Sequence, residues 1–243
     1  MTPEPPVPER LTGIGATALG VALLRAQECG RPDRLFDDPY ARHFLQAVDP
    51  ASTPWVAAGP SPATARLLRV MAGQVAVRTR FFDRALLAAA ARECDQVVLL
   101  ASGMDARAYR LTWPAGTTVF ELDFADVLAF KAAVLDGRGA TPACHRVEVA
   151  TDLRQDWPRA LTESGFSPRR PAAWLAEGIL YALPPEAADL LLDRITAVSA
   201  LGWQPSVTDI AEAAAACERP IPPAFDPARA DSGRGRLATA CLP

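Results

Sequence analysis

The sequence predicts an α/β fold, a doubly wound, mostly parallel sheet behind an N-terminal helical region. Three observations carry this prediction. Gln96–Leu100 (QVVLL) is a short apolar, β-branched run of the kind buried in a parallel sheet. Strand-like and helix-like stretches then alternate as far as Ser199, which implies βαβ units. The residues before Gln96 read instead as helices and connections, and RFFDRALLAAAAREC is alanine-rich and strongly helix-forming.

Residues 1–10 (MTPEPPVPER) are polar, acidic and proline-rich, and predict a disordered arm. From Thr12 to Ala26 the apolar residues recur at helical spacing, with Ala16, Leu19, Leu23 and Leu24 near one face. Gly30 and Pro32 end that helix, and Asp38-Pro39 opens another carrying Tyr40, Phe44 and Leu45. Asp49 to Pro62 holds four prolines and a glycine and reads as an irregular connection. A long helix covers Thr64 to Arg92. After the first strand, Ala101–Asp105 is a small-residue turn and Ala106 to Leu111 starts a helix. Thr117–Leu122 is the second strand, Ala125–Leu135 a helix, Arg146–Ala150 the third strand and Ala172–Ala176 the fourth. Pro184-Pro185-Glu186 opens a helix through Ser199, with proline in its first turn. The predicted organisation is an arm over 1–10, a helical cap region over 11–92 and a ligand-binding α/β domain over 93–243.

Composition excludes several functions. Half of the 243 residues are apolar, enough for one substantial α/β domain with a small helical cap. A net charge of −3 and a pI of about 5.5 leave no basic field for a phosphate backbone, so no nucleic-acid partner is expected. Cys29, Cys94, Cys144, Cys217 and Cys241 are scattered without a CxxC pair, and predict reduced, mostly buried thiols. His43 and His145 are the only histidines, so no metal is expected. The N-terminus lacks the pattern of a signal peptide, and no apolar run is long enough to cross a bilayer. A soluble, cytoplasmic protein without a membrane partner is the expectation.

In a sheet of this kind, ligands bind at the carboxyl ends of the strands. Gly103 follows the first strand, Asp123 the second, Asp152 the third and Glu177 the fourth. A glycine lets a ligand approach the backbone closely. An acid after the second strand can accept both hydroxyls of a ribose, and one after the third can accept an adenine amine. A lone acid after a strand is most often a helix N-cap; four in register point to a nucleoside pocket. The first turn, ASGMDARAY, has one glycine and a bulky Arg107, unlike the G-x-G-x-x-G that seats a pyrophosphate. A nicotinamide oxidoreductase is therefore disfavoured. No P-loop and no G-x-S-x-G elbow occur.

The segment QVVLLASGMDARAYRLTWPAGTTVFELDFADVLAFK resembles the core signature of the leucine carboxyl methyltransferase-like family of S-adenosyl-L-methionine-dependent O-methyltransferases, which includes bacterial polyketide and mycobacterial enzymes. RPDRLFDDPYARHFL, VRTRFFDRAL, ATDLRQDW and WLAEGILYALP follow the family's order and spacing, and the resemblance covers residues from about 17 to 200. It implies a Rossmann-like domain that binds S-adenosyl-L-methionine. Ala101 and Gly103 would line the methionine and ribose part, and Asp123 would hold the ribose hydroxyls. Asp152 and Leu153 would contact the adenine, and Glu177 the amino group or sulfonium side. Arg78 would pair with the methionine carboxylate, the alternatives being a surface arginine or an ion-pair partner of Asp83. Arg107 and Arg110 read as stabilisers of the turn, Asp38 and Tyr40 as fixing the cap helices, with Tyr40 alternatively reaching the substrate, and Trp157 and Trp174 as packing residues.

After Ser199-Ala200 the family continues with a fifth strand and an inserted cap segment. This chain passes instead to a tail resembling the family's final stretch, where a Gly202-Trp203 turn precedes a helix and a closing strand over Leu237–Ala240. The fifth strand and part of the cap are thus expected to be missing, which would bare apolar surface on the sheet. A rearranged fold, a homodimer or a damaged gene product would each account for that. Two functions follow: a methyltransferase acting on a carboxylate or hydroxyl of a small molecule, or an inactive remnant that binds the cofactor and serves as an interaction protein. A carboxylate acceptor is already ionised and needs no general base, whereas a hydroxyl benefits from one. His145 is a weak candidate base whose plainer reading is structural, so no catalytic residue is assigned.

Overall fold

The computed structural model describes residues 15–48, 62–92, 94–180, 183–199, 206–209 and 236–240, with the backbone alone at 15–16, 62–68 and the last two segments. The predicted arm over 1–10 and the connection from Asp49 to Ser61 lie outside the described residues. Among the described residues three helices come first: α1 (Gly15–Cys29), α2 (Ala41–Gln46) and α3 (Pro62–Ala90). The sheet region follows as β1 (Gln96–Leu100), α4 (Arg107–Arg110), β2 (Thr118–Asp123), α5 (Ala125–Asp136), β3 (His145–Ala150), α6 (Trp157–Glu163), β4 (Ala172–Ala176), α7 (Pro185–Ala197), β5 (Ser206–Asp209) and β6 (Arg236–Ala240).

The strand order is β3-β2-β1-β4-β6-β5. β1 to β4 are mutually parallel, and β6 runs antiparallel to both β4 and β5. Leu100 pairs with Leu122 and Asp123 with Ala150, so the parallel strands end side by side at one edge. Because side chains alternate along a strand, each inner strand feeds two cores. Val97, Leu99, Val119, Ala173 and Leu175 face one core with Leu19, Phe44, Phe82 and Leu86 of the N-terminal helices and Phe130 of α5. Val98, Leu100, Phe120, Leu122 and Trp174 face the other, with Trp157, Leu161, Leu191 and Ile195 of α6 and α7. Trp157 and Trp174 meet edge to face at 6.1 Å, which makes both packing residues.

Gln96 opens β1 as a buried amide. It stays there because its side chain donates to the Ser167 carbonyl at 3.1 Å and accepts the Ser167 N–H at 2.8 Å. α1 runs beyond the predicted Ala26, to Cys29, because its inner stripe continues through polar residues. Arg25 donates to the Met104 carbonyl at 2.8 Å, and Glu28 accepts the Leu35 N–H at 2.8 Å.

Two elements differ from the sequence reading. α6 has seven residues, too few for a helical period to register, and starts at a proline turn. The sequence predicts a single strand in the tail; its described residues carry two. β5, with Val207 its only strongly apolar residue, follows the Gly202-Trp203 position directly. The closing strand forms as β6 and takes the place beside β4. The inner edge of β4 is therefore paired rather than bare, and no further parallel strand stands there among the described residues.

Candidate active site at the carboxyl ends of the strands

The turn after β1 is held in a left-handed backbone, with φ at +50° for Ala101 and +47° for Gly103. That region is open to glycine and strained for alanine. A Cβ added at Gly103 would come within 3.1 Å of Ala18 Cβ on α1, so the glycine also lets helix and turn approach. The turn is tied to β2 by the Ser102 N–H, which donates to the Leu122 carbonyl at 3.0 Å. It is tied again by the Gly103 N–H, which donates to Asp123 Oδ2 at 2.7 Å. Asp123 Oδ1 accepts the Phe124 N–H at 2.8 Å. Burial pushes the Asp123 carboxyl up, and the two backbone donors oppose that rise. Two backbone bonds leave lone pairs on both oxygens, the capacity needed to accept a vicinal diol.

Beside this turn lies a cluster of buried ions. Arg107, fully buried on α4, places Nε 2.8 Å from Asp83 Oδ1 on α3, and Nη1 against the Asp105 carboxylate and 2.8 Å from Glu177 Oε2. Arg78 Nε lies 2.9 Å from Glu177 Oε1. Arg110 grips Asp83 with two bonds of 2.6 and 2.7 Å. The alternative pairing of Arg78 with Asp83 is therefore overturned: Asp83 belongs to Arg107 and Arg110, one turn further along the helix, and Arg78 faces Glu177. Nor are Arg107 and Arg110 confined to the turn, since Arg107 links α3, the turn and the end of β4. For Asp105, burial pushes the carboxyl up, but the guanidiniums of Arg107, Arg25 and Arg110 outweigh it and bring it down to about 2. Burial likewise acts on Glu177, and Arg107 and Arg78 reverse it, leaving this carboxyl below its usual value. Arg107 Nη2 is buried and has no acceptor among the described residues.

At the end of β3, the Thr151 N–H donates to the Asp123 carbonyl at 2.9 Å, which sets the next residues beside the same edge. Asp152 Oδ1 accepts the Arg154 N–H at 2.9 Å, and its carboxylate pairs with the exposed Arg154 guanidinium at 2.6 Å. Leu153 packs partly against the second core. Arg78, Ala101, Gly103, Asp123, Asp152, Leu153 and Glu177 thus all stand at or beside the ends of β1 to β4.

The histidines do not. His145 is exposed at the start of β3, its Nδ1 3.5 Å from Thr118 Oγ1, at the opposite end of the sheet from Asp123. The distance between the two ends of one strand removes it as a candidate base. His43 sits half-buried on α2, its Nδ1 3.3 Å from Gln46 Oε1. Asp38 Oδ1 accepts the N–H groups of Tyr40 and Ala41 at 3.2 and 3.1 Å and so starts α2, while Tyr40 packs on Tyr109. Burial pushes the thiols of Cys29 and Cys144 up, the latter to about 12, which makes them poor nucleophiles. Cys217 and Cys241 lie outside the described residues. Among the described residues no cluster of histidine, cysteine and carboxylate could hold a metal ion, and no helix is long and apolar enough to cross a membrane.

A parallel sheet with a glycine turn after β1, an acid after β2 and a buried charge cluster after β4 is a Rossmann-like α/β arrangement. The profile of the leucine carboxyl methyltransferase family matches residues 18–196. The chain belongs to that family. It is 50% identical over 194 residues to a protein of Mycolicibacterium smegmatis, covering 79% of this chain and 65% of that one. It is 48% identical over 200 residues to a Mycobacteroides abscessus protein, covering 81% and 64%. With a Mycolicibacterium gilvum protein the identity is 50% over 196 residues, covering 79% and 65%. All three are named as S-adenosyl-L-methionine-dependent methyltransferases. The chain spans just under two thirds of the length of these curated relatives.

Two charged residues beneath the turn escaped the sequence reading: Glu121 in the middle of β2 and Lys131 on α5, both fully buried and 2.8 Å apart. A carboxylate inside an apolar strand was the available signal.

Proposed function

We propose that this chain binds S-adenosyl-L-methionine at the carboxyl ends of β1 to β4 and methylates an oxygen, carboxylate or hydroxyl, of a small-molecule acceptor. The observation that carries the reading is the Gly103–Asp123 bond. It fixes a half-buried carboxylate against the one residue of the turn without a side chain, while leaving lone pairs for a diol. Asp123 would accept the ribose hydroxyls, and Gly103 and Ala101 would line the ribose and methionine. Asp152 and Leu153 would border the adenine. The Arg78–Glu177 pair supplies one cation and one anion 2.9 Å apart, suited to the carboxylate and ammonium of an amino-acid end. When bound, the cofactor supplies a methyl group on a sulfonium, an electrophile that needs no activation by the protein.

What the chain must then do is hold the acceptor oxygen in line and keep water out. Both histidines lie away from this edge, which favours an acceptor ionised before it binds, a carboxylate ahead of an alcohol. A cytoplasmic role in secondary metabolism fits such an acceptor. The second reading, a chain that holds the cofactor without turning it over, is favoured by the antiparallel β6 standing directly beside β4.

Titration calorimetry with S-adenosyl-L-methionine tests the binding, with Asp123→Ala as control. Loss of one charge-assisted acceptor predicts affinity weakened by about 10-fold or more. Equal affinity in the variant would remove Asp123 from the site. Formation of S-adenosyl-L-homocysteine with a panel of carboxylic and phenolic acceptors separates enzyme from remnant.

A further inference from the structure

Lys131 is a charged residue inside the protein that the reaction does not use. It lies on the buried stripe of α5 with no exposed surface. Its ammonium has three donors and meets three acceptors: Glu121 Oε2 at 2.8 Å, Ser102 Oγ at 3.3 Å and the Asp105 carbonyl at 3.2 Å. Ser102 and Asp105 bracket Gly103. The lysine therefore grips both ends of the turn whose middle amide donates to Asp123.

Glu121 stands on β2 opposite Leu99 and Glu148, facing the core that contains Val97 and Phe130. Its Oε2 also receives Arg146, with Nε at 2.7 Å and Nη2 at 2.6 Å, and Arg146 pairs in turn with Glu148 at 2.6 Å. Oε1 of Glu121 has no hydrogen-bond partner among the described residues. An apolar pair of similar volume would fill this space at less desolvation cost, so the ions are poorly explained by stability. The ammonium does what a methyl group cannot, because it binds oxygen atoms of the turn.

We propose that Lys131 is a positioning residue for the cofactor turn, using Glu121 as its anchor on β2 to hold Ser102 and Asp105, and through them the Gly103 amide against Asp123. This rests on the reading of that turn as the S-adenosyl-L-methionine site. The consequence is that cofactor affinity depends on a side chain that never touches the cofactor.

The test compares Lys131→Met with Lys131→Met/Glu121→Gln in the full chain. The single variant leaves Glu121, Arg146 and Glu148 with one anion in excess, and Glu121→Gln restores the charge balance, so the double variant is expected to recover stability. Amide hydrogen exchange at Gly103, read by NMR on the cofactor-free protein, is expected to speed up about 10-fold or more in both variants, while Trp174 in β4 of the double variant exchanges at the parent rate. Affinity for S-adenosyl-L-methionine is expected to fall about 10-fold in both and not to recover with stability. Ser102→Ala removes one acceptor without leaving a charge unpaired, and faster Gly103 exchange is expected there too, whether or not the lysine variants fold. Parent-like Gly103 exchange in Ser102→Ala, or recovery of exchange and affinity together in the double variant, would overturn the proposal. If the parent protein itself fails to bind the cofactor while Gly103 responds as described, the positioning stands and the assignment of the pocket falls.

Discussion

Gly103 meets two demands at once, a backbone at φ +47° and a neighbour on α1, Ala18, that an added Cβ would crowd at 3.1 Å. Gly103→Ala meets neither. The left-handed conformation alone costs about 1–2 kcal/mol with a side chain present, and the contact with Ala18 adds to it. Denaturant unfolding is expected to show a loss of at least that size. A change within about 0.5 kcal/mol would mean that the turn rearranges freely. Ala101 shows that one strained residue is tolerated here, at φ +50°. Its neighbour Ser102 is tied to Leu122, which over-determines the turn and holds the strain in place.

α3, the turn after β1 and the end of β4 are joined through one guanidinium. Arg107 touches Asp83, Asp105 and Glu177, each from a different segment. Arg107→Met keeps much of the volume and leaves three buried carboxylates short of their counter-charge. Removing one partner of a buried pair is worth about 3–5 kcal/mol, so urea unfolding is expected to shift by that amount. Binding of S-adenosyl-L-methionine should weaken with it, because Glu177 loses one of its two arginines. A variant as stable as the parent would show that Arg110 and Arg25 can take over the carboxylates. No periodicity argument reaches this cluster. Asp83 and Arg110 fall in helical positions that look like ordinary polar faces, and their meeting depends on how α3 lies across the sheet.

For the molecule as a whole, the cluster sets an acid limit. Asp105 titrates at about 2 in the folded protein, against an ordinary 3.8. A carboxyl depressed on folding stabilises the protein above its unfolded value, and that contribution is lost as pH falls through the folded one. Stability is expected to drop by about 2 kcal/mol between roughly pH 4 and pH 2 on this group alone. Glu177 acts in the same direction, while Asp123, raised by burial, acts in the opposite one and flattens the curve above that window. Thermal unfolding across pH checks the sign, and stability that rises on acidification below pH 4 would contradict it. By itself the sequence determined the four parallel strands, whose apolar runs and following turns are local signals, and the acids or glycine at their ends. β1 and β4 are legible to the residue for this reason. Only the tertiary structure decided which charges meet: Arg78 with Glu177 rather than Asp83, Lys131 with Glu121, and β6 beside β4. Those pairings join residues on different elements, from ten positions apart for Lys131 and Glu121 upward, and they are selected by packing across the sheet, which no local spacing encodes.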